Sequence, residues 1–417
     1  MKWIFLNSIS IALFFAGCQS TTPVNEVNDP TSVKAGMWKI EMELAEGKHL
    51  PFQFELVKEK GILSMQIFNA AEVIYVNEIV QRNDSIFIQL PVFESVFELS
   101  IKDDSSLTGH WINYYKSDEY KIPVVASFGK GSRFSDLDDT FLENFGGKYE
   151  VVFSPETDAP SKAIGLFQQA ENRITGTFAT ETGDYRHLAG NVTGSSLLLS
   201  TFDGSHAFLF EAEQTDSGLV GTFYSGTHWK ESWVAHKNDA VTLRNPNDLT
   251  FIKEGYDGLS FSFPNANGDS VSLADEKFNN KPVIVQIMGS WCPNCLDETN
   301  YLATLYDKYN EEGLEVVALA FERTRTTEKA FNNLARLQAK TGANYTFLLG
   351  GATRDDNAAE KLPMLNHIMS YPTAIFIDKN KKVRRIHTGF YGPSTGKFYY
   401  NFVKETEELV EEMLDER

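Results

Sequence analysis

The stretch VIVQIMGSWCPNC, residues 283–295, constrains this chain more than any other. A mostly apolar run of strand length, of the kind buried on both faces of a sheet, leads through Gly-Ser-Trp into two cysteines separated by two residues. Helical periodicity follows, with Leu302, Leu305 and Tyr309 on one face and Gly313 as the stop. Cys292 therefore falls at a helix N-terminus, where unpaired N–H groups and the macrodipole favour a thiolate, and it is the expected nucleophile. Pro293 is tolerated because the first turn has no use for its missing N–H. Cys295, one turn on, is spaced to attack a mixed disulfide on Cys292 and release the partner.

A Cys-x-x-C pair also serves as half a zinc site or as a structural bridge. Zinc needs two further ligands, and neither a second cysteine pair nor closely spaced histidines follow. A bridge between such near neighbours closes too small a loop to stabilise much. A peroxidase would want a lone cysteine with Thr and Pro upstream, which GSWC lacks. Thiol-disulfide exchange is the chemistry left, with no cofactor or metal expected beyond the cysteine pair itself.

Around this centre, FSFPNANGDSVSL (Phe261 to Leu273) carries a hairpin signal, and strands and helices then alternate to the C-terminus. The expected order is a strand over Leu314 to Phe321, a helix from about Thr326 to Lys340, the strand YTFLLG, the strands TAIFID and KVRRIHTGF, and a helix over Phe398 to Leu414. The segment Gly350 to His367 reads as a helical insertion near the active-site face, shaping a partner groove or only packing. WCPNC after an apolar strand, with Tyr371-Pro372-Thr373 before a later one, resembles the thioredoxin fold. Glu298, three residues after Cys295, with the hairpin and a secretory N-terminus, narrows the likeness to the TlpA and ResA group of membrane-tethered thiol-disulfide oxidoreductases.

That resemblance covers residues 251–417. It implies that Pro372 is a cis-proline facing the cysteine pair and presenting backbone to an extended substrate segment, with Trp291, Pro293 and Tyr371 lining the groove. It also gives Glu298 a proton-transfer role, since Gln286 stands where cytosolic thioredoxins bury an aspartate. Asn300 replaces the group's usual proline, so the helix lacks the usual cause of its bend. His367 and His387 are candidates for proximity to the cysteines, with ordinary surface or core positions as the alternative.

The N-terminus assigns a compartment. Lys2 precedes an apolar run from Trp3 to Phe15, and Ala16-Gly17-Cys18 follows, resembling a bacterial lipobox in which Cys18 becomes the lipidated first residue. The expectation is a signal peptide over residues 1–18, a polar tether over 19–34, and an extracytoplasmic protein held on the periplasmic side. Gln19, in place of an aspartate, favours the outer membrane over the inner. The net charge of −19, without basic clusters, excludes nucleic acid as a partner.

Between tether and thioredoxin-like domain, residues 35–130 and 145–240 read as two antiparallel β-rich repeats, barrel or sandwich. WKIEMEL shows the period-two alternation of a half-buried strand, and Gly36, Ile86 and Leu107 find counterparts at Gly147, Leu197 and Leu219. Gly-x-Trp at the first strand resembles small calycin-like barrels that enclose apolar ligands, against the plainer expectation that aromatics fill the core. Residues 132–144 and 238–250 read as linkers.

The expected function is thiol-disulfide exchange through the cysteine pair with extracytoplasmic proteins bearing disulfides or thiols; the resemblance implies a reductase, acting on disulfides such as those of apocytochrome c and recharged by a membrane thiol electron donor, with an oxidase or isomerase as the alternative direction. The rival is a surface binding lipoprotein whose β repeats hold a ligand or partner and whose thioredoxin-like domain is an accessory.

Overall fold

A computed structural model describes residues 33–129, 131–134, 141–352 and 358–416. The signal segment, Cys18 and nearly all of the tether lie outside the described residues, as do the middle of the first linker and part of the Gly350–His367 segment.

The first β unit is a nine-stranded antiparallel meander from Gly36–Ala45 to Lys121–Phe128, with its first and last strands paired. Its edges are the short strands Glu72–Val76 and Glu78–Arg82, so the sheet curls without closing. The second unit has a closed ring. Eight strands from Gly147–Phe153 to Trp229–Lys237 pair each with the next and the last with the first, and the two-residue strand Gly183–Asp184 lies beside them.

The repeated LTGHW and LVGTF motifs have a steric reason. A Cβ on Gly109 would lie 2.0 Å from Glu98 O, and one on Gly221 2.5 Å from Glu211 O, so both strands need glycine where they cross their neighbour. Phe52, Phe54, Phe97 and Trp111 fill the first unit, and Phe153, Phe178, Phe210 and Trp233 the second. These aromatics fill the cores, as the plainer expectation has it.

The two units do not stand apart as tandem beads. Strands Ser196–Phe202 and Ala207–Thr215 are buried on both faces: Leu197, Leu199 and Phe210 point into the barrel, while Phe202 and Leu209 belong to the core of the first unit. Phe202 stacks on Phe52 with ring centroids 4.7 Å apart. The first linker is part of this joint, because Arg133 is buried and donates to Ser200 Oγ at 2.8 Å, Phe68 O at 2.9 Å and Asn69 Oδ1 at 3.1 Å. A buried guanidinium with those bonds is a tie, which corrects the reading of that stretch as a plain linker.

The C-terminal domain has a five-stranded sheet in the order Thr346–Gly351, Glu315–Phe321, Val283–Met288, Thr373–Ile377, Val383–Thr388, parallel across the first three and antiparallel thereafter. Helices α1 (Pro293–Tyr309), α2 (Thr327–Thr341) and α4 (Lys397–Asp415) supply the apolar cluster on one face. The hairpin Ser262–Pro264/Ser270–Ser272 precedes the central strand. The Gly350–His367 segment contributes a single turn, α3 (Ala358–Lys361), whose Ala358, with Leu362 and Leu365, packs in the cluster on the opposite sheet face. Its described part is therefore packing and not a wall of the active-site groove.

Candidate active site

Cys292 ends the loop after the central strand and caps α1 with extended dihedrals, φ −102° and ψ 115°. Its Sγ accepts the Cys295 N–H at 3.2 Å and, as a thiol, donates to Tyr371 O at 3.4 Å. It is 6% exposed, whereas Cys295 is fully buried. Burial, then the hydrogen bond with Cys292, pushes the Cys295 thiol well above its ordinary value. The two cysteines thus differ in access, as attack and resolution require.

The Tyr371–Pro372 peptide is cis, Pro372 is buried, and its carbonyl accepts the Gly389 N–H at 2.9 Å. Trp291 donates from Nε1 to Phe321 O at 2.9 Å, meets Tyr371 edge to face, and is covered by the Arg323 guanidinium 3.4 Å from its ring centroid. Trp291, Cys292, Pro293 and Tyr371 all line one cleft of about 800 Å³.

Glu298 is fully buried on α1, and neither carboxylate oxygen has a hydrogen-bond partner among the described residues. Burial pushes its pKa up to about 8, with the Gln286 amide holding it slightly back. Gln286 is buried and shared between Cys295 O, at 3.4 Å, and the Thr299 hydroxyl, at 3.2 Å. The helix continues unbroken through Asn300 to Tyr309. His367 is exposed beside Asn366, and His387 is buried against Phe402 with Nδ1 2.9 Å from Asn247 Oδ1. Neither histidine lines the cysteine cleft.

A second buried carboxyl escaped the sequence reading. Glu322 follows the strand Glu315–Phe321 and accepts both the Ser290 N–H, at 2.7 Å, and the Ser290 hydroxyl, at 2.6 Å. Burial raises its pKa to about 7 against those bonds. An acidic residue ending an apolar strand was the available signal.

The opposite wall of the cleft comes from the second barrel. Its loop at residues 180–186 lies across the cysteine loop: Asn294 Nδ2 donates to Asp184 O at 3.1 Å, Ser370 Oγ to Thr182 O at 2.7 Å, and Gly392 N to Asp184 Oδ2 at 2.5 Å. Gly183 has φ 137°, and a Cβ there would sit 2.3 Å from Asn294 Nδ2, so only glycine permits this approach. Arg186 is 6% exposed and donates to Pro293 O, between the two cysteines, at 2.8 Å. The same guanidinium meets Asp297 of α1 at 3.1 Å, Asp203 of the barrel at 3.8 Å, and Glu72 of the first unit. Burial alone would lower its pKa, but the carboxylates outweigh it and keep Arg186 charged. The first unit also reaches the site, with Tyr115 Oη 3.3 Å from Ser290 Oγ.

Residues 253–396 match the Redoxin family model. ResA, a thiol-disulfide oxidoreductase of Bacillus subtilis, is 28% identical over 153 residues, which are 37% of this chain and 77% of that protein. ResA of Geobacillus thermodenitrificans is 26% identical over 142 residues, 34% of this chain and 73% of its own length. The C-terminal domain is TlpA/ResA-like, with a thioredoxin-like fold. A thiol-disulfide oxidoreductase from Bacteroides fragilis superposes with a TM-score of 0.28 at 17% identity, covering 36% of this chain and 96% of that one. A thioredoxin-family thiol:disulfide interchange protein from Chlorobium tepidum superposes at 0.29 and 19% identity, over 42% and 99%. The TlpA/ResA-like domain carries thiol-disulfide oxidoreductase chemistry, and the β units lie outside the matched family segment.

Arg186, Asp184 and Asn294 join Glu322 as site residues that sequence reasoning missed. Asp184 and Arg186 lie in ETGDYRH, which has the composition of an ordinary surface turn, and no spacing in it betrays burial.

Proposed function

We propose that the protein is a disulfide reductase that acts outside the cytoplasm on protein partners, tethered through lipid on Cys18, with the outer membrane favoured. The observation that carries this reading is the unequal pair: Cys292 opens into the cleft at the start of α1, and Cys295 is sealed behind it. The Cys292 thiolate attacks one sulfur of the partner's disulfide, the S–S bond breaks, and the other partner sulfur leaves as a thiolate that takes up a proton. Cys295 gives its proton to the Glu298 carboxylate and attacks the Cys292 sulfur. The mixed disulfide breaks, the partner departs with both sulfurs reduced, and the Cys292–Cys295 pair ends oxidised by two electrons. A membrane thiol donor then restores the dithiol, and no other cofactor is required.

A carboxyl with pKa near 8 suits the proton step, because it accepts a proton readily and returns it near neutral pH. The cleft's second wall favours a joint role for β units and thioredoxin-like domain over that of a binding lipoprotein with a redox accessory. Cys295→Ala blocks resolution and should accumulate partners on Cys292 as mixed disulfides, recovered from cells under denaturing, alkylating conditions. Recovery of none, or a wild-type pair found resting as a disulfide, would overturn the reductase reading.

A further inference from the structure

We infer that the mouth of the second barrel is a specificity subsite of the thiol site, taking a bulky aromatic or apolar side chain that lies within a few residues of the substrate's reacting cysteine. This rests on the thiol-exchange reading and adds a substrate class to it.

Beside the cysteine cleft is a second cavity of about 650 Å³ at the barrel mouth, within the size range of sites for organic groups. Ser161, Tyr185 and Phe208 line both, so a chain passing Cys292 runs directly along the mouth. The occupant is thereby fixed as the substrate's own segment and not a separate ligand.

The chemistry of the mouth is aromatic. Tyr185 meets Phe208 and Phe223 edge to face, with centroids 5.4 and 5.3 Å apart, over a floor where Phe210 stacks on Phe223 at 4.4 Å. At the rim, Trp229 is 55% exposed yet held in place, donating from Nε1 to Glu231 Oε1 at 3.1 Å. Glu231 is itself held by the Ser154 hydroxyl at 2.7 Å. An indole left open but pinned offers apolar area without the entropy loss of ordering it on binding. Burial and Lys116, whose ammonium lies 3.0 Å from Nε2, lower the His228 pKa to about 4, so this rim imidazole is neutral near pH 7, and Glu231 also faces the mouth. An acidic side chain is disfavoured there because the aromatic lining would strip its solvation.

Position relative to the sulfur is set by one loop. Tyr185 follows Asp184, whose carboxylate takes the Gly392 N–H and whose carbonyl takes the Asn294 amide. The aromatic wall is thus registered to the cysteine loop.

The test uses the full chain, reduced, with a set of linear disulfide peptides in which one Phe is moved from one to four residues on either side of a cysteine in an otherwise Ala-flanked sequence. At the matching position Phe should raise kcat/KM about 10-fold over Ala, through KM, and Asp there should fall below Ala. Trp229→Ala should bring the Phe peptide down to the Ala value, and Trp229→Phe should keep most of the preference. Equal kcat/KM across the set, within twofold, overturns the subsite and leaves thiol exchange standing. Failure to reduce any peptide while Cys292 still alkylates overturns the exchange reading itself.

Discussion

The two walls of the cleft bury charge in opposite ways. On the barrel side, Asp203 and Glu72 are gathered with Asp297 around the Arg186 guanidinium, and Asp184 is held by backbone N–H groups. On the thioredoxin-like side, neither Glu298 oxygen has a hydrogen-bond partner among the described residues, and burial outweighs the nearby Gln286 amide in setting its pKa. Partnering does not remove the cost of burial, which still raises the Asp297 pKa to about 7 beside Arg186, but loss of the shared cation costs far more, so the set acts as a bolt. An unpartnered carboxyl is a standing cost to the fold, and a raised pKa is its consequence. One wall spends stability on chemistry, and the other holds that chemistry in place.

Arg186→Met should have the largest effect. It leaves Asp297, Glu72 and Asp203 facing one another without a cation, and loss of about 3–5 kcal/mol is expected. Denaturant unfolding measures it, and hydrogen exchange should show protection lost first in residues 180–187 and the first turns of α1. A loss under about 1 kcal/mol would mean that the cluster is solvated and not a bolt.

Glu298→Gln should act with the opposite sign. A carboxyl raised from 4.5 to about 8 binds its proton more tightly folded than unfolded, so its contribution is fully present below about pH 4.5 and is lost as pH rises to about 8. The variant should therefore be more stable than wild type by about 4 kcal/mol at pH 8 and by less than about 1 kcal/mol at pH 5, read from thermal melts. Its resolving step should slow by about 10- to 100-fold, with the inflection near pH 8 gone. A stability gain independent of pH, or an unaltered rate profile, would remove Glu298 from the proton step.

Glu322→Gln is the intermediate case. Two bonds from Ser290 offset much of the burial cost, and the pKa rises only to about 7. By the same linkage the gain at pH 8 is about 3 kcal/mol before the loss of one Ser290 bond, about 1 kcal/mol, is subtracted, so it should fall clearly below that of Glu298→Gln. A change as large as that of Glu298→Gln would erase the distinction between partnered and unpartnered carboxyls.

Much of the thioredoxin-like domain was legible in the sequence because its signals are local. A continuous apolar run marks a strand buried on both sides, Cys292 and Cys295 follow within one helical turn, and the helix Thr327–Thr341 ends at Gly342 with φ 71°. The β units were legible as strands but not as closures, since period-two alternation is the same in an open curled sheet and a closed barrel. The clue to their shared core was LLLSTF at 197–202, too apolar for a strand with one wet face.

By itself the sequence determined the cysteine pair, its place at a helix start and the thioredoxin-like order of strands, because each depends on residues near one another along the chain. Only the tertiary structure decided that Arg186, 107 residues before Pro293, would bond to its carbonyl, and that a barrel would face Cys292. A lone arginine in a turn reads as solvated until three carboxylates from distant segments surround it, and that convergence is a property of packing, which no local pattern encodes.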